Sequence, residues 1–203
     1  YGHGDVEICK ILSKNKIDGF CVALIDEVIH LRKNNINDKI LHLGCFEHTF
    51  HKIMLDKNLI LTLNTIDDVI FLEELGKKYN HKFNVHIKID TGMIRLGFLK
   101  EEIQNLSDIL IKNDNIVIDG IYTQLSSADE SNQIHTDKQR ELFIKIVSFL
   151  ENKIGKIEYK HITPSAGLLK DKKNHFDLVR PGISIYGICN VSEKHNLKPV
   201  MKV

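Results

Sequence analysis

The chain of 203 residues is 42% hydrophobic and 27% charged, with 28 basic against 27 acidic side chains and a formal charge of +1. That length fits one domain, or most of one larger α/β domain, with the balance of an ordinary soluble globular protein. The mixed charge excludes the clustered basic footprint of a nucleic-acid binder, no apolar run approaches the ~18 residues of a membrane span, and no leader pattern opens the chain.

Four cysteines (Cys9, Cys21, Cys45 and Cys189) lie far apart without a C-x-x-C pair. They read as free thiols of a reducing, cytoplasmic compartment rather than a disulfide framework or zinc site. The 11 histidines include no H-x-x-x-H or H-E-x-x-H spacing, so no metal is expected.

The chain opens on "YGHG", directly before a helix-like run. That is either an ordinary flexible start or a loop that has lost the strand in front of it. "IDGFCVAL" (17–24) then reads as a strand and "IDEVIHLRKN" as a helix that Asp26 can cap, with Val28, Ile29 and Leu31 on its apolar side. "KILHLG" (39–44) is the next strand, with a short helix through Ile53 and Met54. "LILTLN" (59–64) leads into a helix with Thr65 as N-cap and Ile66, Val69, Ile70 and Leu72 at helical spacing.

The alternation continues through "KFNVHIKID" and "KEEIQNLSDILIKN", then "IVIDGIYTQL" and "TDKQRELFIKIVSFLENK". It ends with "IEYKHITPS", a short helix from Ala166, and "FDLVRPGISIYG". About seven βα repeats imply a parallel sheet with right-handed crossovers. An open doubly wound sheet and a (β/α)8 barrel missing one strand both fit, although no G-x-G-x-x-G follows any strand. If the missing strand lies before Tyr1, the strands present are 2–8 of a barrel over residues 1–196, and "YGHG" leaves strand 1. "LKPVMKV" (197–203) looks different, like the first strand of a second domain.

In a barrel, chemistry sits at the C-terminal strand ends. In "NVHIKIDTGMIRLGF" the two-residue period puts His86, Lys88 and Asp90 on one face and Val85, Ile87 and Ile89 on the other. An inward Lys-x-Asp is costly in a barrel interior unless paired or chemically modified; a buried ion pair filling the barrel mouth is the plain alternative. Arg95 follows on a loop flanked by Gly92 and Gly97, suited to hold a small carboxylate. In "KHITPSAG", Ser165 is either a helix N-cap or part of a phosphate site. In "FDLVRPGISIYG", Gly182 allows close backbone approach, Ile183 supplies an amide, and Arg180 stands just inside the strand end.

Taken together, "YGHG", "IKIDTGMIRLGF", "SSADE", "HITPSAG", "VRPGISIYG" and "LKPVM" resemble alanine racemases, pyridoxal phosphate (PLP) enzymes of the barrel fold class. The resemblance runs through the whole chain in order and spacing. It implies that Tyr1 hydrogen-bonds the cofactor phosphate, with Ser165, Gly182 and Ile183 completing the cradle. It sets Arg180 against the pyridine nitrogen, oriented by His161, and Leu43 along the cofactor ring. Lys88 matches a lysine that is often carbamylated in the family, whose new charge holds Arg95 for the substrate carboxylate; Asp90 stands beside it.

The resemblance further implies a cytoplasmic homodimer that supplies D-alanine for peptidoglycan. Its two proton-transferring groups, a Schiff-base lysine four residues before Tyr1 and a tyrosine from the partner's C-terminal domain, match no residue here. The chain is therefore expected to be an inactive barrel portion with no catalytic residue of its own. Two positions depart from the family: Gln124 where histidine is usual, and Pro164 where asparagine is usual. A racemase of serine or another small amino acid, a non-catalytic PLP-binding barrel, and a phosphate-binding barrel unrelated to PLP remain the alternatives.

Overall fold

The computed structural model describes residues 2–189, 191 and 196–200. Its sheet has six strands: β1 (Phe20–Val22), β2 (Ile40–His42), β3 (Leu59–Leu63), β4 (Phe83–Lys88), β5 (Ile116–Tyr122) and β6 (Tyr159–His161). They lie side by side in chain order, and the pairs β1–β2, β2–β3 and β5–β6 are parallel. Sequential order is that of a β/α barrel; a doubly wound sheet needs a reversal of strand order, which is absent among these six. The fold is thus that of an incomplete α/β barrel.

Among the described residues seven α-helices alternate with the strands: α1 (Asp5–Ser13), α2 (Ile25–Lys33), α3 (His51–Met54), α4 (Ile66–Tyr79), α5 (Ile103–Leu110), α6 (Ile134–Ile154) and α7 (Ser165–Lys170). Packing divides the chain into two compact units, Tyr1–His86 with Lys112–Ile118, and Ile87–Ile111 with Asp119–Val203.

In the first unit β3 is buried along its whole length, as a strand covered on both faces must be. Val28 and Leu31 of α2 and Val69 and Leu72 of α4 are buried at helical spacing, while Ile70 is exposed. Thr65 caps α4 as expected, its Oγ1 accepting the Asp68 N–H. Asp26 does not cap α2. Leu24 is the N-cap residue, and the Glu27 carboxylate accepts the Ala23 and Leu24 N–H groups at 2.8 Å each. A longer side chain one residue further on reaches back to two free amides that Asp26 would meet less well. Arg32 ties α2 to the segments before β2 and β3, through Asp56 Oδ2 (2.5 Å), Ile36 O (2.6 Å) and Asn58 O (3.2 Å).

In the second unit Ile87, Ile89, Phe98, Leu106, Ile121, Phe143, Leu150 and Ile162 are fully or almost fully buried. The seventh expected strand contracts to one parallel bridge, Thr163 with Val179. Asp177 and Arg180 still donate ladder-like bonds to Lys160 O (3.0 Å) and Thr163 O (2.9 Å). Pro181 then has no N–H to give, and the chain turns into a 3-10 helix over Ile183–Tyr186. Of 197–203, residues 197–200 form no helix or strand, and the rest lie outside the described residues. Among the described residues no helix is long and apolar enough to cross a membrane.

Candidate active site

Strand β4 delivers the first group of site residues. Val85, Ile87 and Ile89 are all 0% exposed, and Lys88 on the alternate face is itself only 5% exposed. Its Nζ lies over the Tyr122 ring, 4.5 Å from the centroid. Burial, reinforced by the charges of Arg180 and Arg95 and opposed by Asp90, brings the Lys88 amine down to about 7. The plain alternative, a Lys88–Asp90 ion pair, is not among the ion pairs of the described residues. Asp90 turns instead to the backbone: Oδ1 accepts from Gly92 (2.8 Å), Met93 (2.9 Å) and Ile94 (3.1 Å), and Oδ2 from Arg95 (3.0 Å). Burial alone would raise the Asp90 pKa, but the four amides outweigh it and hold the carboxyl below its ordinary value.

These bonds wind residues 91–95 around one carboxylate and bring exposed Arg95 close enough to act on Lys88. Ile94 is forced to φ 54°, an unusual conformation for a β-branched residue, with its side chain 90% exposed. At Gly97 (φ 109°) a Cβ would stand 2.6 Å from Lys88 Cγ and 2.7 Å from Lys88 O, so the loop returns against the strand only with glycine there.

Arg180 is the hub of the second group. Its Nη1 donates to His161 Nδ1, and its Nη2 to Thr123 O (2.8 Å) and Gln124 Oε1 (3.0 Å). Because His161 Nδ1 accepts, a neutral imidazole carries its proton on Nε2. The guanidinium carbon is 5.0 Å from the Tyr122 ring centroid, and His161 stacks on the same tyrosine at 4.7 Å and 6°. Tyr122 thus meets both cations and the histidine. Nothing in the local sequence singled it out beyond its place near the end of β5.

The third group surrounds Ser165. Pro164, not Ser165, occupies the N-cap of α7. Ser165 Oγ accepts instead from the amides of Gly182 (2.9 Å) and Ser184 (3.3 Å) and lies 3.1 Å from Ser184 Oγ. With its acceptor capacity engaged by amides, the hydroxyl proton is available to an anion. The Ile183 N–H, first in its 3-10 turn, has no acceptor within that turn. Pro164 contributes its carbonyl, which receives the Leu168 N–H at 3.0 Å.

The structure therefore brings together Lys88, Asp90, Arg95, His161 and Arg180, with Gln124, and separately Ser165, Gly182 and Ile183. Leu43 belongs to the first unit, half-buried, with its N–H on Val22 O at 2.8 Å. Tyr1 lies outside the described residues. Missed at the sequence level were Tyr122, Ser184, and the buried polar set Thr91, Thr123 and Gln139.

A family model described as "Alanine racemase, N-terminal domain" matches residues 1–190. The alanine racemase of Methanococcus maripaludis is 33% identical over 209 residues, covering 100% of this chain and 56% of that protein. Alanine racemase 1 of Clostridium acetobutylicum is 34% identical over 207 residues, covering 99% and 53%. Among solved structures, the Clostridium difficile 630 alanine racemase in complex with cycloserine superposes with a TM-score of 0.91 at 30% identity, covering 98% of this chain and 56% of that one. The chain spans about half the length of the curated relatives it matches. Sequence and fold agree over nearly all of it, and it belongs to the alanine racemase family.

Proposed function

We propose that this chain is the cofactor-binding barrel portion of a PLP-dependent alanine racemase, a cytoplasmic homodimer that interconverts L- and D-alanine for cell-wall precursor supply. The observation that carries the reading is the three-way hold on Arg180 by His161, Thr123 and Gln124. A permanently charged guanidinium fixed on three sides suits a heterocyclic nitrogen that must stay unprotonated. The donor set of the Ser165 group suits a phosphate: one hydroxyl proton and the Ile183 amide, beside a glycine that admits close approach. Bound here, PLP would supply an electron sink that labilises the α-hydrogen of an amino acid.

The residues of this chain then hold and orient. Ser165, Gly182 and Ile183 would hold the phosphate end, and the family resemblance assigns Tyr1 to the phosphate and Leu43 to the ring. Arg180 would face the ring nitrogen, with His161 and Gln124 keeping its guanidinium from turning away. Arg95 receives the substrate carboxylate. Lys88, with its amine at about 7, is largely neutral in weakly alkaline solution and can add to carbon dioxide. That step forms one N–C bond as one C=O π bond of carbon dioxide opens, releases one proton from the nitrogen and turns the neutral amine into an anion facing Arg95 and Arg180. Asp90 shapes the loop that presents Arg95.

The test uses the full-length protein that contains this chain. We expect it to bind PLP, with the visible absorbance of the lysine-linked cofactor, and to equilibrate L- and D-alanine on chiral chromatography. Arg95→Ala should raise KM, and Ser165→Ala should weaken cofactor binding. A colourless protein that ignores both PLP and alanine overturns the reading. Faster turnover of serine than alanine would move the substrate, and Gln124 is the position to exchange for histidine in that case.

A further inference from the structure

Gln139 lies in the first turns of α6 and is 0% exposed. A glutamine side chain is seldom buried so completely, and this one uses both ends. Its Oε1 accepts from Ser126 N (3.0 Å) and lies 3.3 Å from Ser126 Oγ. Its Nε2 donates to Gln124 O (3.0 Å) and Thr91 Oγ1 (3.3 Å). Thr91 Oγ1 is in turn 2.8 Å from Thr123 Oγ1. One side chain therefore grips the backbone on either side of Leu125 and links it to the segment after β4. Residues 123 and 124 of that stretch are the ones whose carbonyl and side chain receive Arg180 Nη2.

We propose that Gln139 is a positioning residue for Arg180: it fixes the 123–126 backbone so that the Thr123 carbonyl and the Gln124 amide aim the guanidinium. Its bearing on cofactor binding rests on the function proposed above; its bearing on Arg180 does not. Arg180 also stands beside Lys88, together with Arg95 and Asp90, so the Lys88 amine reports where the guanidinium sits. If the 123–126 stretch loosens, Arg180 loses the aim of its Nη2 and its guanidinium shifts away from Lys88. Its repulsion on Lys88 weakens, and the amine becomes easier to protonate.

A purely structural glutamine would do less. It would hold a loop to a helix, and its loss would lower stability without moving Arg180. The experiment separates the two in the full-length protein, with Gln139→Met, which keeps length and volume and removes every hydrogen bond. The Lys88 midpoint is followed by NMR of 13Cε-labelled lysine in CO2-free buffer, and the PLP dissociation constant by visible absorbance. Positioning requires the midpoint to rise by about one pH unit. It also requires the dissociation constant to rise roughly ten-fold, the scale of losing one or two hydrogen bonds to a charged group.

A lower melting temperature with midpoint and affinity as in wild type overturns the proposal. Should Gln139→Met fail to fold, Thr91→Val decides: the same two shifts, smaller, support positioning, and none refutes it. If the wild-type protein binds no PLP, the proposed function fails, while the Lys88 midpoint still judges Gln139.

Discussion

Lys88 projects its ammonium nitrogen over the ring of Tyr122, 4.5 Å from the centroid. An aromatic face is a weak partner for a cation compared with a carboxylate, and two arginines stand nearby. Burial first, and then those two charges, bring the Lys88 amine down to about 7.

The pH dependence of stability follows in sign. A lysine whose folded pKa is about 7, against 10.5 in the unfolded chain, binds fewer protons when folded between those values. Its destabilisation is full below pH 7 and is relieved as pH rises toward 10.5. Lys88→Met should therefore raise the melting temperature at pH 6, by roughly 5 °C, with the gain shrinking at pH 9. Melts in CO2-free buffer across that range check it, and a gain that is constant with pH would show that charge is not the cause.

Asp90 gives the opposite sign. Its folded pKa is lowered, so its contribution is present above the ordinary carboxylate value and is lost as pH falls through the folded pKa. Asp90→Asn replaces one acceptor oxygen with a donor that faces backbone N–H groups. We expect a loss of about 2–3 kcal/mol at pH 7, a shallower acid limb below pH 4, and a larger effect on KM than on kcat because Arg95 is displaced. Denaturant titrations at pH 7 and pH 3 and steady-state kinetics measure all three.

Gly97→Ala is expected to be among the most damaging small substitutions. The new methyl would stand 2.6 Å from Lys88 Cγ and 2.7 Å from its carbonyl, at a φ of 109°. A side chain rotates away, but the carbonyl belongs to the sheet. A destabilisation of about 3 kcal/mol or more is expected by urea unfolding, together with a shifted Lys88 midpoint. Gly155→Ala, also at positive φ but with open space around it, is the control that isolates the clash.

Ile94 should behave in reverse. Its side chain is 90% exposed while its backbone sits at φ 54°. Asparagine tolerates that region better and loses little packing there, so Ile94→Asn should stabilise the protein by about 1 kcal/mol. A destabilisation instead would mean that something in the assembled protein covers the isoleucine.

Much of the architecture was legible. Strand β4 advertised its two faces by alternation, and the helices by their 3.6-residue stripes, because burial imposes those periods directly. The seventh expected strand, in "FDLVRPGISIYG", shrank to a single bridge: the apolar run was there, but Pro181 cannot donate to a ladder. Ser165 was legible as a polar residue at a helix start and ambiguous in role. Its hydroxyl accepts from the amides of Gly182 and Ser184, 17 and 19 residues away, which the local sequence does not show. Gln139 was hidden among the charges of "TDKQREL". It nevertheless falls on the buried stripe of α6 with Thr136, Phe143, Ile146 and Leu150, and a polar residue on an apolar stripe was the signal to follow. Tyr122 offered no such clue, since a buried tyrosine near a strand end is ordinary core.

The hold on Arg180 joins positions that are distant along the chain: 57 residues to Thr123, 56 to Gln124 and 19 to His161. Loops that long close late and slowly, after the local βα units have collapsed. A nascent chain would therefore acquire its helices and most of its sheet well before its arginine is seated. Until then the polar ends of β4, β5 and β6 stay hydrated and disengaged. On that ordering the seating of Arg180 would come last, an order set by the spacing of a few hydrogen bonds.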